Sequence, residues 1–104
     1  DEPDRLIGED ISRLVLGRTL QGKINAGSPA IMQIGRDGKM VFRSATLLYT
    51  GRVFVDHDRM CQQSESVALG RTDCGPVYRR IIEGDGPAYS YVNATYVFYF
   101  SPID

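Results

Sequence analysis

The sequence predicts an all-β domain, a small antiparallel β-barrel of seven or eight strands with a short N-terminal α-helix. Three observations carry this prediction. Short apolar segments follow one another from residue 18 to the end, each closed by a turn signal. One of those signals, "RDGK", holds the Asp-Gly pair whose positive φ suits a tight hairpin turn. Only one stretch, "GEDISRLVLGRT", departs from this texture and shows helical spacing. A closed barrel is preferred to an open sheet because a sheet of this length must bury one face, and closure also removes its edges.

Residues 1–8 are acidic and contain Pro3, so they read as a loosely held leader before a single domain over 9–104. Glu9 and Asp10 lie where a helix N-terminus favours negative charge, and Gly17 where a helix ends. Ile11, Leu14 and Val15 share one face, which predicts a helix over about residues 9–16 packed across one end of the barrel. The strand candidates then run in order: "RTLQGKIN", "AIMQIG", "MVFRSATLLY", "GRVFVD", "RMCQQSES", "TDCGPVYRRIIE", "AYSYVN" and "TYVFYF". The breaks between them include a Gly-Ser-Pro step, the polar "DHD" and "GDGP".

A chain of 104 residues has room for one core. A hydrophobic fraction of 42% and a charged fraction of 24% are those of an ordinary globular protein. The net charge of −1 offers no overall electrostatic footprint for nucleic acid. No apolar run approaches spanning length, so membrane insertion is not expected; the longest, "YVFYF", reads as a strand. The opening "DEPDRL" reads as a mature N-terminus or a cut boundary.

Cys61 and Cys74 are the only cysteines, each in a strand candidate with a polar loop between them. If those strands pair as a hairpin, the thiols come within bridging distance. A bridge closing a loop of this size stabilises by roughly 3 kcal/mol. Two buried free thiols are the alternative, and the bridge is favoured because small exported barrels often need such a staple. A zinc site lacks ligands, since His57 is the only histidine and neither cysteine has a partner at knuckle spacing. No metal and no cofactor are expected.

"EDISRLVLGRTLQGKI", the Asp-Gly hairpin, "YTGRVFVDHDRMC" and the second cysteine together resemble a small exported barrel domain of proteobacteria. That family occurs alone and attached to class III adenylate cyclases and other signalling proteins. The resemblance covers about residues 9–80 and implies a barrel and an exported, periplasmic or secreted location rather than an activity. Where the family has Trp after "TGR", this chain has Val53.

Four groups are candidates for function. "DHD", residues 56–58, has two carboxylates around His57, but Asp favours hairpin turns and no nucleophile accompanies it, so a turn is the preferred reading. Of the C-terminal aromatics, Tyr96, Phe98 and Phe100 alternate to one face, expected to fill the core together with Phe54. Tyr89, Tyr91 and Tyr99 are candidate members of a partner surface, because Tyr is enriched at interface hot spots. Arg79 and Arg80 must point to opposite faces, so one of them is a candidate to hold an acidic ligand at the barrel mouth. "NAT", residues 93–95, matches a glycosylation acceptor but is expected to be idle.

With no catalytic constellation to assemble, the expectation is an exported, non-catalytic binding module recognising a protein partner or serving as an accessory to a larger complex. Two alternatives stand beside it: a sensor holding a small apolar or amphipathic molecule in the barrel, and a secreted enzyme inhibitor.

Overall fold

In the computed structural model, residues 4–25, 27–81, 84 and 86–103 are described. One helix, α1 (Gly8–Val15), precedes nine strands. These are β1 (Thr19–Ile24), β2 (Ser28–Ile34), β3 (Lys39–Ser44), β4 (Leu48–Asp56), β5 (Arg59–Gln63), β6 (Thr72–Gly75), β7 (Val77–Arg79), β8 (Tyr89–Val92) and β9 (Val97–Pro102). All pair antiparallel in one sheet, in the order β6-β5-β4-β3-β2-β1-β9-β8-β7. The two ends of that order are joined through Pro76, so the sheet curls into a nearly closed barrel.

The strand count is nine because "TDCGPVYRR" is not one strand. Proline has no N–H for the ladder, and at Pro76 the chain changes partner, pairing with β5 before it and β8 after it. The seam is then stitched by side chains. Tyr91 Oη donates to the Asp73 carbonyl, and the Asp73 carboxylate accepts from Ala94 N and Thr95 Oγ1 in the β8–β9 turn. Val92 N also donates to the Pro76 carbonyl.

A second boundary differs from the sequence reading. "MVFRSATLLY" breaks at residues 45–47, where Ser44 Oγ accepts from Thr46 N and Leu47 N, whereas β4 runs unbroken through Gly51. Gly51 marks a close approach of neighbouring backbone within β4. A Cβ there would collide with the Gln63 carbonyl oxygen; one at Gly22 would collide with that of Tyr99, and one at Gly75 with that of Val92. At these three positions neighbouring backbone comes too close for a side chain, the device by which a sheet turns a barrel corner. The Asp-Gly hairpin forms as expected, with Gly38 at φ 89° and Asp37 Oδ1 accepting from Lys39 N.

Helix α1 starts at Gly8 and stops before Gly17, which adopts φ 72°. An eight-residue helix is not stable alone in water. It is held because Ile11, Leu14 and Val15 are buried with Leu6 in the same core as the barrel. Of the expected loose leader, residues 1–3 lie outside the described residues, while Arg5 and Leu6 pair along β7: Leu6 N donates to the Val77 carbonyl and Arg79 N to that of Asp4. This contact covers an edge of β7 that would otherwise stand open.

The interior is filled by an aromatic column. Phe42 stacks on both Tyr49 and Tyr96, with ring centroids 5.2 and 5.0 Å apart, and meets Phe98 edge-on at 5.7 Å. Phe98 stacks on Phe100, and Phe100 on Tyr89. Leu20, Met32, Met60 and Val77, all fully buried, surround it. Phe54 does not join. Val53 takes the inward position, 3% exposed, and alternation turns Phe54 outward, opposite Cys61 and 41% exposed.

Candidate functional site

The cysteines stand directly opposite each other on β5 and β6, with Cα atoms 4.0 Å apart, and are bridged. Cys61 is fully buried and Cys74 half-buried. The bridge ties β6 to the sheet next to the seam. It also anchors residues 64–71, a loop with Ala68 and Leu69 at φ 51° and 56° and the Leu69 side chain exposed.

"DHD" is a hairpin turn. His57 occupies the left-handed region at φ 57° and its ring is exposed. Its Nδ1 lies 2.7 Å from Asp56 Oδ1, which holds the Asp56 carboxyl below the usual range. The third residue has a role that spacing did not reveal: Asp58 Oδ1 accepts from Gly8 N at 2.8 Å and so caps α1. Among the described residues no cluster of His, Cys, Asp and Glu could hold a metal ion, and no helix is long and apolar enough to cross a membrane.

The five candidate binding residues go to three places. Tyr91 is wholly buried, because the β8–β9 register sets it opposite Phe98 and hence on the inner face. Burial pushes its hydroxyl pKa up. Tyr99 points outward beneath the Arg80 guanidinium, 4.7 Å from the ring centroid, and Arg80 also donates to the Pro87 carbonyl. Arg79 and Tyr89, paired across β7 and β8, come together in a groove of 230 Å³ between α1 and the barrel mouth, with Arg13 and Asp10 on its helix side. The Arg13 guanidinium is already paired with Glu9 and Asp10.

The sequence reading missed a buried polar cluster at the opposite end. Tyr49 Oη donates to Gln62 Oε1 at 2.6 Å and lies 2.6 Å from Tyr96 Oη, while Gln62 Nε2 is buried without a partner. Desolvation pushes the Tyr49 hydroxyl up to about 12 and raises that of Tyr96 as well. Alternation marked Tyr49 and Gln62 only as members of strands; no local signal announces that they meet.

A second cleft, of 310 Å³, lies across β1–β3. Pro29, Ala30 and Ile31 form its apolar part, and Gln21, Ser44 and Arg43 its polar rim. Farther along the same wall β4 exposes Leu48 and Phe54. None of these groups supplies a nucleophile beside a base with an adjacent set of oxyanion donors; what they offer is a mixed apolar and cationic surface. No protein-family model, curated protein or solved structure matches the chain.

Proposed function

We propose that this domain is a non-catalytic binding module that recognises a protein partner through the outside of its barrel. The observation that carries the reading is the filled interior: the aromatic column of Phe42, Phe98 and Phe100 with the fully buried Tyr91 occupies the space a small ligand would need. Recognition then falls to the outer surface, where Leu48 is 72% and Phe54 41% exposed on one strand. The disulfide supports an oxidising, exported location for the working protein. The likeness to the proteobacterial barrel domain supports the same location and a role as a free-standing or attached accessory module.

A photo-crosslinking residue placed at Leu48 or Phe54 tests this. One defined protein adduct, formed in extracts of the native host and competed by unlabelled wild-type domain, is the expected result. A residue placed at Glu9, exposed on α1 and outside the sheet, serves as control. Adducts at all three sites alike, or a tightly held small molecule in native mass spectrometry, would count against the reading.

An inhibitor reading has one observation of its own. Leu69 is 90% exposed on a loop fastened at its base by the Cys61–Cys74 bridge and by Gln63 Nε2 donating to the Gly70 carbonyl. Leu69→Ala separates the two readings, since it abolishes partner capture only if that loop makes the contact.

A further inference from the structure

We propose that the outer wall of β1–β5 docks an acidic segment of a partner protein, with carboxylates meeting Lys39, Arg43 and Arg52 while an apolar side chain enters the cleft of β1–β3. The proposal rests on the protein-binding reading above and names the chemistry of the partner.

The net charge of −1 conceals a segregation. The nine strands carry six cations, Lys23, Lys39, Arg43, Arg52, Arg59 and Arg79, all exposed. They carry only two acids, Asp56 and Asp73. Asp73 is buried and spent on the seam, and Asp56 lies at the end of β4 beside His57 and Arg59. The remaining described acids lie in the N-terminal segment, the helix, the turns and the 64–71 loop. The wall is therefore positive although the chain is nearly neutral.

The arrangement of these cations is unfavourable for an isolated barrel. Lys39 and Arg52 are direct cross-strand neighbours, and like charges in that position are destabilising. Arg52 reaches only the backbone carbonyl of Asp37, and Lys39 Nζ lies 4.0 Å from the Asp37 carboxylate. Arg43, two positions along the same face of β3, has no carboxylate in reach among the described residues. An anion bridging Lys39 and Arg52 would offset the repulsion, which gives the wall a differential affinity for carboxylates.

The apolar elements select a protein over a polyanion. Arg43 shares its cleft with Ile31, Ala30 and Pro29, and its cross-strand partner is the exposed Leu48. A carboxylate next to an aliphatic side chain matches both features at once. A phosphate backbone or a lipid headgroup layer would present a continuous negative surface, and the Asp37, Asp56 and Asp58 turns at one end of the wall would repel it.

Panning a random peptide library against the immobilised, oxidised domain tests the proposal. The expected winners pair Asp or Glu with Leu, Ile or Phe. Their affinity should fall about tenfold in Arg43→Glu and in Arg52→Glu, and should fall with added salt. Both variants should keep the wild-type denaturation midpoint, with Arg52→Glu no less stable because it removes the repulsion with Lys39; Arg43→Gln provides a neutral control. Winners without carboxylates, or indifferent to both reversals, would overturn the charge assignment and leave the protein-binding reading standing. No winner above background would overturn both. Tighter binding to phosphatidylglycerol vesicles or to oligothymidylate than to any selected peptide would replace the acidic protein by a phosphate surface.

Discussion

The backbone N–H of Gly8 donates to Asp58 Oδ1 at 2.8 Å, so helix α1 is capped by a side chain fifty positions away in sequence. Arg5 Nη2 reaches the carbonyl of the same Asp58, which fastens the N-terminal segment to the β4–β5 turn as well. The helix lacks a local side-chain cap, because Ile7 occupies that position. Removing such a cap costs about 1 kcal/mol. Asp58→Ala is therefore expected to lower the unfolding free energy measured in urea by that amount, whereas His57→Ala at the neighbouring exposed site should lower it less. Equal losses would show that the turn, and not the cap, matters.

The Cys61–Cys74 bridge should survive denaturation without reductant, giving an intact mass two hydrogens below that of the reduced chain. Cys74→Ser should destabilise by about 2–4 kcal/mol. Labelling of both thiols in the unfolded, unreduced protein would contradict the bridge.

Leu14 is 9% exposed and packs into the shared core, so Leu14→Ala should cost about 2–4 kcal/mol. Equilibrium denaturation measures this directly. An unchanged midpoint would mean that the helix does not contribute to the core in solution.

Burial raises the hydroxyl pKa of Tyr49 to about 12 and those of Tyr91 and Tyr96 in the same direction. Their unfolded counterparts ionise near pH 10. The folded chain therefore holds protons that the unfolded chain releases, and stability present below pH 10 is lost as pH rises toward 12. Each such hydroxyl contributes a slope of up to about 1.4 kcal/mol per pH unit in that window. Chemical denaturation from pH 8 to 12, followed alongside tyrosinate absorbance, should show both changes together. Tyr49→Phe and Tyr96→Phe should flatten the curve.

Gly75→Ala should be strongly destabilising, by more than about 2 kcal/mol, because the new methyl group meets the Val92 backbone carbonyl instead of a movable side chain. Gly27→Ala makes the comparison, since nothing lies within 4 Å of a Cβ there, leaving only its φ of 121° as a source of strain. A smaller loss at Gly75 than at Gly27 would mean that the barrel seam yields easily.

Local chemistry made much of the fold legible. The spacing of Ile11, Leu14 and Val15 marked the helix, and Asp37-Gly38 marked the hairpin, because both signals depend on neighbours in sequence. The cysteine pair was legible because two strands separated by one loop return antiparallel, which brings Cys61 opposite Cys74. The alternation of Tyr96, Phe98 and Phe100 identified a core face for the same reason.

Tertiary structure decided what depends on contact between distant strands. A period of two separates the faces of a strand without saying which is inside, so Phe54 turned outward and Tyr91 inward once the register of their partners was set. Gly51 looked like the start of a new strand and Pro76 like a mid-strand residue, yet the first lies inside β4 where the Gln63 carbonyl leaves no room for a side chain, and the second is where the chain changes partner. Composition also sums charge without placing it. Only the folding of β1–β5 into one wall put Lys39 opposite Arg52 and Arg43 beside an apolar cleft, because side chains far apart in sequence share a surface only after the backbone ladders have formed.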